Sequence, residues 1–109
     1  MRGPNIEKTL TSKETFIFKD LVGPFFNPKW HFHPEFQISF IAEGKGTRFV
    51  GDHVQTFKEG DLTLTGPNLP HLCRSDEIYF HPDSKLSTRG MVIYFDHELL
   101  SESLLDKEE

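Results

Sequence analysis

Apolar and polar residues alternate in short bursts along this chain, and turn-forming residues break the bursts every few positions. A period of two predicts strands, and the breaks predict tight connections. Thr15 to Lys19 reads as a short strand with Phe16 and Phe18 on one face. Gly23 to Lys29, with Gly-Pro-Phe-Phe-Asn-Pro, reads as an irregular connection. Glu35 to Ala42 is the clearest strand, and Glu43-Gly44-Lys45-Gly46 is expected to form a hairpin from which Thr47 to Val50 returns. Strands are then predicted at His53 to Phe57, Leu62 to Thr65, His71 to Ser75 and Thr88 to Phe95. Gly51-Asp52, Lys58-Glu59-Gly60-Asp61 and the loop Gly66-Pro67-Asn68-Leu69-Pro70 separate them. Asp76 to Ser87 carries no clear period beyond a turn at Pro82-Asp83. After Asp96, a candidate N-cap, Leu99, Leu100, Leu104 and Leu105 fall at helical spacing and predict a short terminal helix. Many short strands followed by one helix predict an antiparallel sandwich or small barrel.

The faces of Glu35 to Ala42 bear on assembly. Glu35, Gln37, Ser39 and Ile41 share one side; Phe36, Ile38, Phe40 and Ala42 share the other. Neither is the polar face of a strand in water, so both need cover. One would line a cavity. The other would be covered by the terminal helix, by downstream chain or by a second copy.

Length and composition narrow the function classes. A chain of 109 residues is one small domain, and its eleven Phe residues are expected to supply much of a thin core. The net charge is −5, and Lys and Arg form no concentrated stripe, which argues against direct nucleic-acid binding. One cysteine, Cys73, excludes an internal disulfide. No apolar run resembles a signal peptide or a membrane span, so a cytoplasmic setting is expected.

The chemistry concentrates at Trp30-His31-Phe32-His33-Pro34-Glu35-Phe36-Gln37. On one extended strand, His31, His33 and Gln37 would point to the same side. Such a polar column in an apolar segment lines a pocket, because burying it unpartnered is costly. His71 adds a third imidazole if its strand returns beside the first. Neutral imidazoles and an amide offer donors and acceptors suited to the hydroxyls of a small effector, with Trp30 as a flat platform and Arg48 in reach of a carboxylate. The same three histidines with Gln37 leave a divalent metal open. No nucleophile–base–orienter arrangement is present.

These residues carry a resemblance. Gly23, His31-x-His33, Gln37 and Gly44, followed by Gly60-Asp61, Pro67, Pro70 and His71, resemble the two motifs of the cupin superfamily. The phrases Trp30-His31-x-His33-Pro34-Glu35-Phe36-Gln37, Gly44-x-Gly46, Phe57-x-x-Gly60-Asp61-Leu62-x-Leu64, Pro67-Asn68-Leu69-Pro70-His71 and Val92-Ile93-Tyr94-Phe95-x-x-Glu98-Leu99-Leu100 narrow it to the N-terminal effector-binding domain of AraC-type transcription regulators. Two departures stand out: Gln37 replaces the metal-binding acid of enzymatic cupins, and Gly23 is loosely spaced. The resemblance implies an all-β, antiparallel cupin (jelly-roll) barrel over residues 14–96, a flexible arm over 1–13, and the start of a helical linker over 97–109. It implies a small polar effector, with a sugar as one candidate, and a homodimer. DNA would be met only through a C-terminal domain that this chain does not include. The rival expectation is a metal-dependent cupin enzyme, a dioxygenase or isomerase, using His31, His33, Gln37 and His71.

Overall fold

The computed structural model describes residues 4–6 and 16–96, and in them the strands form two facing antiparallel sheets. The strands are β1 (Asn5–Ile6), β2 (Phe16–Gly23), β3 (His31–Phe32), β4 (Phe36–Glu43), β5 (Gly46–Val50), β6 (His53–Phe57), β7 (Leu62–Thr65), β8 (His71–Ser75) and β9 (Thr88–Phe95). One sheet has the order β1-β3-β8-β5-β6 and the other β2-β9-β4-β7. Only β1, beside β3 at the sheet edge, runs parallel to its neighbour. The chain passes back and forth between the sheets, so strands distant in sequence become neighbours. This is the all-β jelly-roll barrel that the resemblance implies. Among the described residues the one helical element is a 3₁₀ turn at Glu77–Phe80. The terminal helix expected from Leu99 to Leu105 lies outside the described residues.

Three expectations change. The segment Glu43 to Gly46 is not a hairpin, because β4 and β5 belong to different sheets. Gly44, at φ 135°, turns the chain across the gap instead. At Gly46 a Cβ would run into the Arg74 carbonyl oxygen and the Phe57 ring. Second, β2 continues past Lys19 to Gly23, because every residue of it pairs with β9. Third, the phenylalanines do not fill the interior. Only Phe57 and Phe95 are buried, whereas Phe16 and Phe18 are more than half exposed. They join Ile38, Phe40, Leu62, Leu64, Met91 and Ile93 on the outer face of the β2-β9-β4-β7 sheet, in register across all four strands.

Polar side chains instead share the interior with Ile41, Phe57, Tyr79, Val92 and Tyr94. His33, Ser75 and Thr88 are its largest fully buried side chains. Each polar group needs a partner there. The Ser75 Oγ accepts from the Phe26 backbone N–H at 2.9 Å, and the Thr88 hydroxyl donates to the Gly23 carbonyl at 3.0 Å. The first ties the irregular 24–30 connection to β8, and the second joins the end of β2 to its neighbour β9. Phe26 then seats its ring edge-on to Phe57, centroids 5.8 Å apart. A Cβ at Gly44 or Gly90 would come within 3.1 Å of that ring, so the two glycines form its notch.

Candidate functional site

His31, His33 and His71 converge, but not by lying on one strand. β3 ends at Phe32, the chain turns at Pro34, and Gln37 belongs to β4 of the opposite sheet. His31 and His71 are directly paired across β3 and β8, with ring centroids 4.3 Å apart. The proline-rich loop before His71 is held from both sides. Asn68, at φ 60°, donates its N–H to the His33 carbonyl at 2.7 Å, and the Gly51 N–H reaches the Pro70 carbonyl at 2.8 Å. His33, only 1% exposed, fills the corner between the sheets, its ring edge-on to Tyr94 at 4.9 Å.

Each imidazole is pinned through Nδ1 to a backbone carbonyl two residues away. His31 meets Lys29 at 2.6 Å, His33 meets Glu35 at 3.0 Å, and His71 meets Leu69 at 2.7 Å. A carbonyl only accepts, so Nδ1 carries the proton in all three rings. The Nε2 atoms of His33 and His71 meet one terminal atom of the Gln37 amide, assigned Oε1, at 2.9 and 3.1 Å. If that atom is oxygen, both rings need a second proton, putting two cations with centroids 5.0 Å apart into a buried corner. With the amide nitrogen in that place the count closes. Its two hydrogens go one to each neutral Nε2. We therefore place the Gln37 NH₂ between the rings, where it clamps the two sheets together.

Beside this cluster lies a cavity of about 480 Å³. His31, Gln37 and His71 form its polar end. Leu21, Phe25, Phe26, Ile41 and Val92 supply apolar wall, and Lys19, Ser39, Cys73 and Tyr94 add polar groups. Burial pushes the Cys73 thiol above its ordinary range, with Arg48 pulling the other way. Arg48 is buried at 6% exposure, one strand over, opposite Cys73 in the sheet register. Trp30 is half-buried and lies outside the cavity lining. Glu35 is buried, its carboxylate 3.9 Å from His33 Nδ1. Lys19 and Tyr94 were not singled out from sequence. The signal for Lys19 was its alternation with Ile17 and Leu21, which places it on the inward face of β2 once that strand is read to its full length.

The donor set fits a metal only in part. One ring nitrogen from each of His31, His33 and His71 lies within 4.8 Å of the others. Zinc held by imidazole at about 2.0–2.1 Å would draw such nitrogens to about 3.3 Å from one another. The pinned Nδ1 atoms orient the rings as ligands are oriented. The fourth group, however, is a neutral amide already committed to two of the three rings, where a carboxylate would bring charge. The residues present therefore do not complete a charged metal centre.

Comparison with known proteins agrees with the architecture. A family model described as "AraC-like ligand binding domain" matches residues 13–109. No curated protein sequence matches the chain. Among solved structures, a cupin 2 conserved barrel domain protein from Salinispora arenicola is similar over 92% of this chain and 79% of its own, at 14% identity and TM-score 0.61. The Cnp3 cupin domain of Schizosaccharomyces pombe is similar over 86% of this chain and 61% of its own, at 10% identity and TM-score 0.64. A predicted oxalate decarboxylase from Thermotoga maritima is similar over 72% and 64%, at 18% identity and TM-score 0.57. These likenesses establish the cupin fold.

Proposed function

The chain belongs to the AraC-like ligand binding domain family, and from that premise we propose that it senses a small polar effector bound in the barrel cavity. The observation that carries this reading is the juxtaposition of a 480 Å³ cavity with a preset polar end. His31, His71 and Gln37 face it with their protons already assigned by backbone and amide partners. A site whose polar groups are fixed before binding spends little on ordering them. His33 acts one layer back, holding Gln37 in place. Trp30 and Arg48 belong to the surroundings of the site rather than to its present lining.

Sensing follows from linkage. An effector that binds one conformation better shifts the population by its differential affinity. The output surface we propose is the outer face of the β2-β9-β4-β7 sheet. Phe18, Leu62 and Leu64 are exposed there by 53%, 69% and 63%. An apolar face of that extent in a soluble setting marks an association site, and a second copy of this chain is the occupant we propose. Among the described residues no helix is long and apolar enough to cross a membrane.

Calorimetric titration with small hydroxylated compounds tests the reading. Binding lost in His71→Ala, with the fold retained, supports it. The enzyme reading is kept in view by the three convergent imidazoles. Stoichiometric iron, nickel or manganese in the purified protein, lost in His33→Ala, would favour it over a sensor.

A further inference from the structure

The charges around the cavity do not match those of the chain. The whole protein carries −5, yet its cavity is lined by Lys19 and, at the rim, Lys29. The lining includes one carboxylate, Asp20, and it is already committed. Arg89 grips it in a two-pronged pair, Nε to Oδ1 at 3.0 Å and Nη2 to Oδ2 at 2.8 Å, which holds its carboxyl below the ordinary range. Among the described residues Lys19 forms no ion pair; its ammonium sits 5.1 Å from the centroid of the Tyr94 ring.

Behind the cavity wall stands a second cation. Arg48 is the register partner of Cys73, which lines the cavity. Its Nη2 is buried with no hydrogen-bond partner, and its guanidinium lies 5.8 Å from the Phe57 ring centroid. Cys73 takes a hydrogen bond from this guanidinium, but a buried N–H group left unpaired is costly, and an anion brought close to it relieves that cost. The buried carboxylate of Glu35 lies beside His33, 3.9 Å from its Nδ1. The interior thus holds an excess of positive charge beside an apolar wall.

We propose that the effector is an organic acid, its carboxylate held in the cavity by Lys19 within the field of Arg48, and its uncharged body set between the apolar wall and the polar end formed by His31, Gln37 and His71. This deepens the ligand-binding reading and rests on it. A carboxylate against a partly enclosed apolar wall gains more from fixed cations than it does in bulk water.

Matched pairs of probes test the proposal by calorimetry: galacturonate with galactose, 4-hydroxybenzoate with 4-hydroxybenzamide, and octanoate with octanol. The expected result is that the acid of at least one pair binds at least tenfold more tightly than its neutral counterpart. Lys19→Met, half-buried and so tolerated by the fold, should abolish that preference. Arg48→Met should weaken binding of the acid, because it removes the buried cation with an unpaired N–H group beside the cavity. Neutral members binding as well as the acids, or an acid preference that survives Lys19→Met, would overturn the proposal and leave the ligand-binding reading standing. If no member of any pair binds and none shields Cys73 from alkylation, both fall together.

Discussion

Replacing Gln37 by glutamate exchanges one NH₂ for one oxygen and tests the proton assignment at the centre of the site. In the native protein the amide donates to Nε2 of His33 and His71 at 2.9 and 3.1 Å, while both Nδ1 atoms donate to backbone carbonyls. A carboxylate cannot donate. Either both rings take a second proton, or each gives up a backbone bond to turn its single proton inward. His33 is 1% exposed, so no water replaces what is lost there. An unsatisfied buried group costs about 1–3 kcal/mol, and with His71 partly relieved by the cavity the total is about 2–4 kcal/mol. For a domain of this size that lowers the melting temperature by on the order of 10–20 °C. Urea denaturation of both proteins at about pH 8 measures the difference. Zinc present at a hundredfold excess over its dissociation constant should restore about 2.7 kcal/mol to the variant, now that a carboxylate completes the donor set. A Gln37→Glu protein as stable as the native one at pH 8 without metal would refute the assignment, and would mean that the amide oxygen faces two charged rings.

Other outcomes follow from single positions. Gly46→Ala should abolish cooperative unfolding or cost at least about 3 kcal/mol in a denaturant titration, since its methyl meets both the Arg74 carbonyl and the Phe57 ring. Cys73, with its thiol pushed up by burial, should react with iodoacetamide at about pH 8 more slowly than an unfolded control. Its raised value also means that its contribution to stability is present below about pH 9 and lost as pH rises through the folded value. Leu64→Asp, on an exposed position of the outer sheet face, should leave the melting temperature within a few degrees and convert a dimer to a monomer in sedimentation velocity. A native chain that sediments as a strict monomer would remove that face as a contact between copies.

How far the fold could be read from sequence depended on whether each decision was local. The strands His53–Phe57, Leu62–Thr65, His71–Ser75 and Thr88–Phe95 coincide with their predicted limits, because Gly, Pro and Asp at their ends terminate pairing whatever the partner. The length of β2 was not legible, since Asp20, Leu21 and Val22 are strand only through pairing with residues about seventy positions later. Local sequence also cannot tell a hairpin from a crossing between sheets, and Glu43 to Gly46 is the second of these. The site shows both cases. The gathering of His31, His33, Gln37 and His71 was legible as a set of residues, but the reason offered was a shared strand face, whereas the structure achieves it by a corner at Pro34 and a clamp between sheets. The fate of the phenylalanines was illegible for a related reason. A strand pattern separates two faces without saying which of them turns inward.

The central strand β9 presents Gly90, Val92 and Tyr94 to the chamber and Met91, Ile93 and Phe95 to the opposite surface. Its backbone is shared, so any tilt that makes room for a guest against Val92 is delivered to Ile93 by the same peptide unit. Occupancy can therefore be felt outside without a hinge or a moving loop, and a fluorophore attached at position 93 should report the guest within.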